Sequence, residues 1–293
     1  MDIALKSIRH QWDSEGWLFV PQLLDTHTID RLRVIAERCL AQWRLCNPET
    51  GEGAGFSDLH HMRHLNHSGY YQSNRTWLTE LQEAVAHPDI LSVVRTILED
   101  DPLFRSTSLF MNPIESGRDG DWHRDLQFLY PVESEERAQL EKTWKSGAMG
   151  LQLQIALVPS DDTEFVPGSH LRWDSEDEYA IRCANERANR TSNNMPNAMR
   201  VALQPGDAVA FNAAGIHRGR YHTDKYRRTL MLTYNRANGS CRRDYFSDQP
   251  WCLDEGYLDG LSEGAVVFWQ RFIDTYREFW ESGGWEHRGK VIS

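Results

Sequence analysis

The chain predicts a mainly β fold, a sandwich or barrel compatible with a jelly roll, carrying flanking helices. From about residue 103 onward, short apolar stretches at 103–113, 122–130, 149–159, 207–212 and 228–235 alternate with Gly, Pro, Asn and Asp, the texture of strands and turns. Before them lie two segments whose apolar residues recur at helical spacing. No internal repeat or low-complexity run breaks the 293 residues. We therefore expect a single domain over 1–293, with a helical flank 1–102, a jelly-roll core at about 103–236 and an aromatic-rich extension 237–293.

In chain order, the apolar stretch Trp17-Leu18-Phe19-Val20-Pro21 precedes an amphipathic helix striped by Ile29, Leu32, Ile35, Ala36, Cys39, Leu40 and Trp43. Residues 51–69 hold four Gly and four His (His60, His61, His64, His67) without apolar periodicity, and read as a loop or lid. After Pro88, Asp89 is placed to cap a second helix whose stripe is Ile90, Leu91, Val94, Ile97 and Leu98. Within the β region, 133–145 looks helical and 174–197 is a polar insertion rich in Glu, Arg and Asn. Residues 265–280 form a terminal helix.

Composition narrows the function classes. A net charge of −11 repels nucleic acid and anionic membrane, so neither is expected as a partner. No apolar run approaches the ~18 residues of a membrane span, and the first residues form no signal-like apolar core. The protein reads as soluble, unexported and cytoplasmic. Cys39, Cys46, Cys183, Cys241 and Cys252 are odd in number, widely spaced and without a CxxC pair, which suits reduced thiols.

The strongest chemical feature is Asp121-Trp122-His123-Arg124-Asp125-Leu126-Gln127-Phe128. On a strand, alternate side chains share a face, so His123, Asp125 and Gln127 would project together, and an imidazole and a carboxylate could bind one metal. With 12 His and 43 acidic residues, about two His-x-acid spacings arise by chance. Of those present, His87-Pro88-Asp89 sits at a helix start and His222-Thr223-Asp224 in a turn-like segment, leaving His123-Arg124-Asp125 on a strand pattern. About 90 residues later, Gln204-Pro205-Gly206-Asp207 feeds an apolar strand that ends near His217. Arg228 heads the strand Arg228-Thr229-Leu230-Met231-Leu232-Thr233-Tyr234, eleven positions after His217, where its fork can hold a carboxylate.

With Phe165-Val166-Pro167-Gly168-Ser169-His170 between these parts, and Gly16-Trp17-Leu18-Phe19-Val20-Pro21 at the start, the order resembles the phytanoyl-CoA dioxygenase family of Fe(II)/2-oxoglutarate oxygenases over roughly residues 10–236. The resemblance implies a double-stranded β-helix (jelly roll, cupin-like) with His123, Asp125 and His217 as iron ligands. It also implies Arg228 on the distal carboxylate of 2-oxoglutarate, with Arg227 its competitor on the opposite strand face. Asn112 and Gln154 match inward positions beside the co-substrate, and Gln127 is expected to touch co-substrate or substrate. The implied cofactors are Fe(II), 2-oxoglutarate and O2, and the implied reaction is oxidation, most often hydroxylation, of a small molecule. Asp125, a carboxylate where halogenating relatives lack one, speaks against halogenation. Residues 158–164 lack the Asn-Gly turn of many relatives, which leaves the shape of that stretch open. The rival readings are a metal-dependent cupin-like enzyme that does not use 2-oxoglutarate and a silent binding protein on the same fold.

Overall fold

The computed structural model describes residues 2–46, 61–112, 117–239 and 241–284. In order these form α1 (Asp2–Glu15), β1 (Trp17–Val20), α2 (Thr26–Cys46), β2 (His61–Arg63), α3 (Arg75–Val85), α4 (Pro88–Leu98), β3 (Pro102–Phe110), β4 (Arg118–Asp119) and α5 (Leu126–Leu129). There follow α6 (Glu133–Ser146), β5 (Gly150–Ala156), β6 (Ser160–Phe165), α7 (Glu176–Arg182), α8 (Ala184–Arg187) and β7 (Met199–Leu203). The chain closes with β8 (Ala208–Phe211), β9 (His217–Tyr221), β10 (Thr229–Arg236) and α9 (Glu263–Glu281). The strands make a six-stranded sheet, β1-β8-β5-β10-β3-β2, and a four-stranded sheet, β4-β9-β6-β7. All pairings are antiparallel, and neighbours are rarely consecutive in sequence. This is the jelly roll that the strand texture and the resemblance predict.

Strand parity divides the large sheet into two faces. On β10, Leu230, Leu232 and Tyr234 join Leu151, Leu153 and Ile155 of β5 in one apolar core with α2, α4 and α9. Each such side chain contributes roughly 1.5–3 kcal/mol on full burial. Phe104 packs on Trp269 with ring centroids 4.5 Å apart, and the Tyr234 hydroxyl donates to the Val85 carbonyl at 2.7 Å. The other face carries Gln152, Gln154, Thr229, Met231 and Ser108 in register, so a polar chamber lies between the sheets. Among the described residues no helix is long and apolar enough to cross a membrane.

Several local expectations are corrected. Residues 122–130 are not a strand: after a single bridge between His123 and His217 the chain turns into α5. Most of 158–164 lies in β6 (Ser160–Phe165), a polar strand that apolar alternation cannot reveal, and β9 (His-Arg-Gly-Arg-Tyr) is hidden for the same reason. The cap of α4 is His87, whose Nδ1 accepts from the Asp89 amide at 3.3 Å, rather than Asp89. Of the His-rich segment, 51–60 including His60 lies outside the described residues. His61–Arg63 is an edge strand on β3 rather than loop, and His64 and His67 are buried.

One corner needs glycine. Gly16 has φ +74°, and a Cβ there would collide with the His170 imidazole, which seats the α1–β1 junction on the Pro167-Gly168-Ser169-His170 turn. That turn is held from the other side by Arg124, which is fully buried. Its guanidinium donates to the carbonyls of Ser169 (2.7 Å) and Ala214 (2.6 Å) and pairs with Asp174 at 2.7 Å. Asp174 also takes Arg182 at 2.7 Å, and Arg182 continues to Glu136 at 2.8 Å.

Burial opposes ionisation of Asp174, but Arg124 and Arg182 outweigh it and hold its carboxyl below the ordinary 3.8. Its stabilising contribution is therefore complete above that value and is lost as pH falls through the lower folded value. Asp174→Asn is expected to cost about 3–5 kcal/mol at pH 7, because two buried guanidinium groups lose their shared counter-charge. Urea unfolding should show this deficit, and it should narrow as pH drops below 3.8.

Candidate metal centre

The bridge that ends the strand at residue 123 also builds the site. The amides and carbonyls of His123 and His217 exchange hydrogen bonds at 3.0 and 2.9 Å, placing the two imidazoles side by side with ring centroids 4.3 Å apart. Asp125 follows at the start of α5, its amide bonded to the Ala213 carbonyl at 2.9 Å in the loop that leads to His217. One ligand atom from each of the three residues lies within 4.8 Å of the others. Asp125 Oδ1 is 3.5 Å from His123 Nε2 and 3.6 Å from His217 Nε2. These separations are close to the spacing of about 3 Å between neighbouring ligands around a metal with bonds of about 2.1 Å.

The ring tautomers suit a metal. His123 Nδ1 meets the Asp121 carbonyl at 2.7 Å and His217 Nδ1 meets the Gly215 carbonyl at 3.0 Å. A carbonyl can only accept, so each Nδ1 carries a proton and each Nε2 is the ring atom left to face the site. Burial and the neighbouring His123 push the pKa of His217 down to about 4, against the pull of Asp125, so its ring is neutral at pH 7. Burial raises the Asp125 carboxyl, but His123, His217 and Arg63 together hold it below its ordinary value. Gln152 donates to Asp125 Oδ2 at 2.5 Å and leaves Oδ1 turned to the histidines. Behind His217 stands an apolar wall, Phe211 at 5.0 Å between ring centroids, then Phe165 and Trp17.

The remaining expected residues separate. Arg228 is corrected: it forks onto Glu37 of α2 at 2.5 and 3.2 Å, on the helix-packed face of the sheet. Arg227 is the arginine on the chamber side, in parity with Thr229 and Met231 and only 1% exposed. It reaches Asp162 at 3.4 Å, Thr229 Oγ1 at 3.4 Å and the Arg220 carbonyl at 3.1 Å. The loop from His217 can change length without moving β10, so a count of eleven positions does not decide which arginine faces the chamber.

Gln154 faces the chamber, accepting from Thr163 Oγ1 at 2.5 Å. Asn112 donates to the Lys225 carbonyl at 2.9 Å, just before Arg227, and its Oδ1 is buried with no partner among the described residues. Gln127 is corrected: it lies on α5, not on a strand shared with His123, and its Oε1 accepts from Arg182 at 3.1 Å in the buried ion network. Sequence reasoning missed Gln152, although Gln152-Leu153-Gln154 already shows polar residues alternating into one face of an apolar strand.

An antiparallel jelly roll with two imidazoles and one carboxylate converging on its inner side is the arrangement of the mononuclear 2-His-1-carboxylate metal enzymes. Comparison with family models matches residues 12–229 to phytanoyl-CoA dioxygenase (PhyH), and the chain belongs to that family. No curated protein sequence matches it. Among solved structures it is similar to the non-haem α-ketoglutarate-dependent epimerase SnoN from nogalamycin biosynthesis (TM-score 0.54, 20% identity, 81% of this chain and 82% of that one). The α-ketoglutarate-dependent carbocyclase SnoK from the same biosynthesis aligns with TM-score 0.53 and 18% identity over 88% and 91% of the chains. EctD from S. alaskensis, solved with 2-oxoglutarate and 5-hydroxyectoine, gives 0.53 and 17% over 82% of each chain. At these identities the likeness is one of fold.

Gln152→Leu should lower metal affinity about 10- to 100-fold by releasing Asp125, and His217→Ala should lower it further. Equilibrium dialysis against Mn(II), with circular dichroism to confirm folding, reads both.

Proposed function

We propose that the protein is a non-haem Fe(II)/2-oxoglutarate-dependent oxygenase that oxidises a C–H bond of a small molecule, hydroxylation being the simplest outcome. The observation that carries this reading is the pairing, on one inner face, of the His123–Asp125–His217 triad with the buried guanidinium of Arg227. Two imidazoles and a carboxylate are the donor set that suits Fe(II) while leaving other positions open. When bound, iron and 2-oxoglutarate supply O2 activation coupled to decarboxylation of the keto acid to succinate.

The protein's own residues bind, orient and exclude. His123, Asp125 and His217 would hold the metal, and Gln152 orients Asp125 by holding Oδ2. Arg227, with Thr229 beside it, receives the distal carboxylate of 2-oxoglutarate, and the bidentate fork fixes that end of the co-substrate. Its existing ion pair with Asp162 is long, 3.4 Å, so the guanidinium has capacity for a second carboxylate. Gln154 lines the path between the two ends, held by Thr163. Asn112 anchors the backbone of the segment that carries Arg227. The Phe211, Phe165 and Trp17 wall keeps water from the His217 side, where loose solvent would divert the oxidation.

The test is an anaerobic titration of Fe(II)-loaded protein with 2-oxoglutarate, following the visible metal-to-ligand band. Arg227→Leu should raise the 2-oxoglutarate Kd about 30- to 100-fold, the worth of a lost charge-assisted fork. Arg228→Leu should leave that Kd unchanged and affect only stability. Metal binding with no band would overturn the 2-oxoglutarate assignment in favour of a metal enzyme without that co-substrate. Failure to bind metal would point to a silent binding protein.

A further inference from the structure

The segment after β10 lies beyond residues 12–229, the part matched to the family, yet it packs against the sheet edge that closes the chamber. Tyr245 sits 4.9 Å from the His64 ring and Trp251 4.3 Å from that of His67, measured between centroids. Phe246 lies 5.2 Å from the guanidinium carbon of Arg63, and Phe110 of β3 lies 5.6 Å from it.

Arg63 lies between Phe246 and Phe110. It pairs with Ser108 across β2 and β3, and Ser108 pairs in turn with Met231, which faces Gln154. Arg63 therefore shares the inner face with Gln154 and, two residues along β5, with Gln152, the partner of Asp125. The fully buried arginines Arg124, Arg182, Arg218 and Arg227 each meet a carboxylate. Arg63, which is only half-buried by surface exposure but desolvated at its head group, meets none among the described residues: its one hydrogen bond there runs from Nη1 to Ser108 Oγ at 2.9 Å. Burial disfavours its charge, and only the more distant Tyr245, Asp125 and Tyr221 offset that. A guanidinium kept in such a place, clamped between two rings and without a counter-ion, is prepared for an anion that arrives from outside.

Building on the metal and 2-oxoglutarate reading, we propose that Arg63 receives the carboxylate of a monoanionic organic substrate, whose apolar body rests against Phe246 and Phe110. One fork balances one negative charge, and the field of Asp125 acts against a dianion such as a phosphate monoester. Arg227 already serves the co-substrate, which leaves Arg63 to the substrate. The C-terminal segment then sets specificity through Phe246.

The test is isothermal calorimetry on the full chain loaded with Mn(II) and 2-oxoglutarate, titrated with matched pairs: hexanoate and hexanamide, phenylacetate and phenylacetamide, indole-3-acetate and its amide. Phenyl phosphate is the dianionic control. The wild type should favour the carboxylate in at least one pair by about tenfold or more, the worth of a charge-assisted hydrogen bond. It should also favour that carboxylate over phenyl phosphate. Arg63→Met should erase the preference without changing the 2-oxoglutarate Kd, and Arg63→Lys, which keeps the charge but not the fork, should retain part of it. No anion preference in any pair, a preference for phenyl phosphate, or a preference that survives in Arg63→Met overturns the proposal. It is equally overturned if Arg63→Met weakens 2-oxoglutarate as Arg227→Leu does, since Arg63 would then belong to the co-substrate. If the wild type shows no 2-oxoglutarate binding, that earlier reading fails separately, and the same pairs titrated with Mn(II) alone still decide the role of Arg63.

Discussion

The buried guanidinium of Arg124 ties together the parts on which the metal centre depends. It sits between His123 and Asp125 in sequence and points away from them, into the carbonyls of Ser169 and Ala214 and the carboxylate of Asp174. Ser169 in turn accepts from the Ile216 amide through its hydroxyl at 2.7 Å, next to His217. One cation thus fixes, from behind, the turn that bears two ligands and the loop that bears the third. A planar group with five donors can join three backbone segments where a lysine's compact ammonium could not. The polar insertion 174–197 supplies the countercharge and closes the network through Arg182.

Charge is distributed in opposite senses at two length scales. The chain as a whole carries −11, so its distant field repels small anions, while its chamber presents Arg227 and Arg63. In physiological salt the distant field fades over about 8 Å, whereas a guanidinium in a desolvated pocket acts at contact. An anion that enters the chamber would therefore be held by contact with these guanidinium groups rather than by long-range attraction.

Much of this architecture was legible because burial imposes periodicity. The stripes of α2 and α4 and the apolar runs of β3, β5, β8 and β10 all face one core. What escaped notice lacks that imprint. β6 and β9 are built from charged residues whose partners are other charged residues, such as Arg218 with Glu164, and alternation of hydrophobicity cannot mark them. His123 and Asp125 were found from their spacing, but their convergence comes from a turn after a two-residue bridge rather than from a strand face, and that is why Gln127 did not follow them. The choice between Arg227 and Arg228 hinged on strand parity, a property of β10's pairing with β3 and β5 that a count across a loop cannot reproduce. Arg63 is far in sequence from both rings that clamp it, above all from Phe246 in the C-terminal segment, and no local pattern links them.

The reciprocal backbone bridge between His123 and His217 bears on how the protein lives with its metal. The separation of the two imidazoles is set by strand pairing, which forms with the fold and needs no ion to draw the ligands together. A metal held by these residues would therefore enter a site that the backbone has already shaped, and its departure would leave the His123–His217 bridge in place.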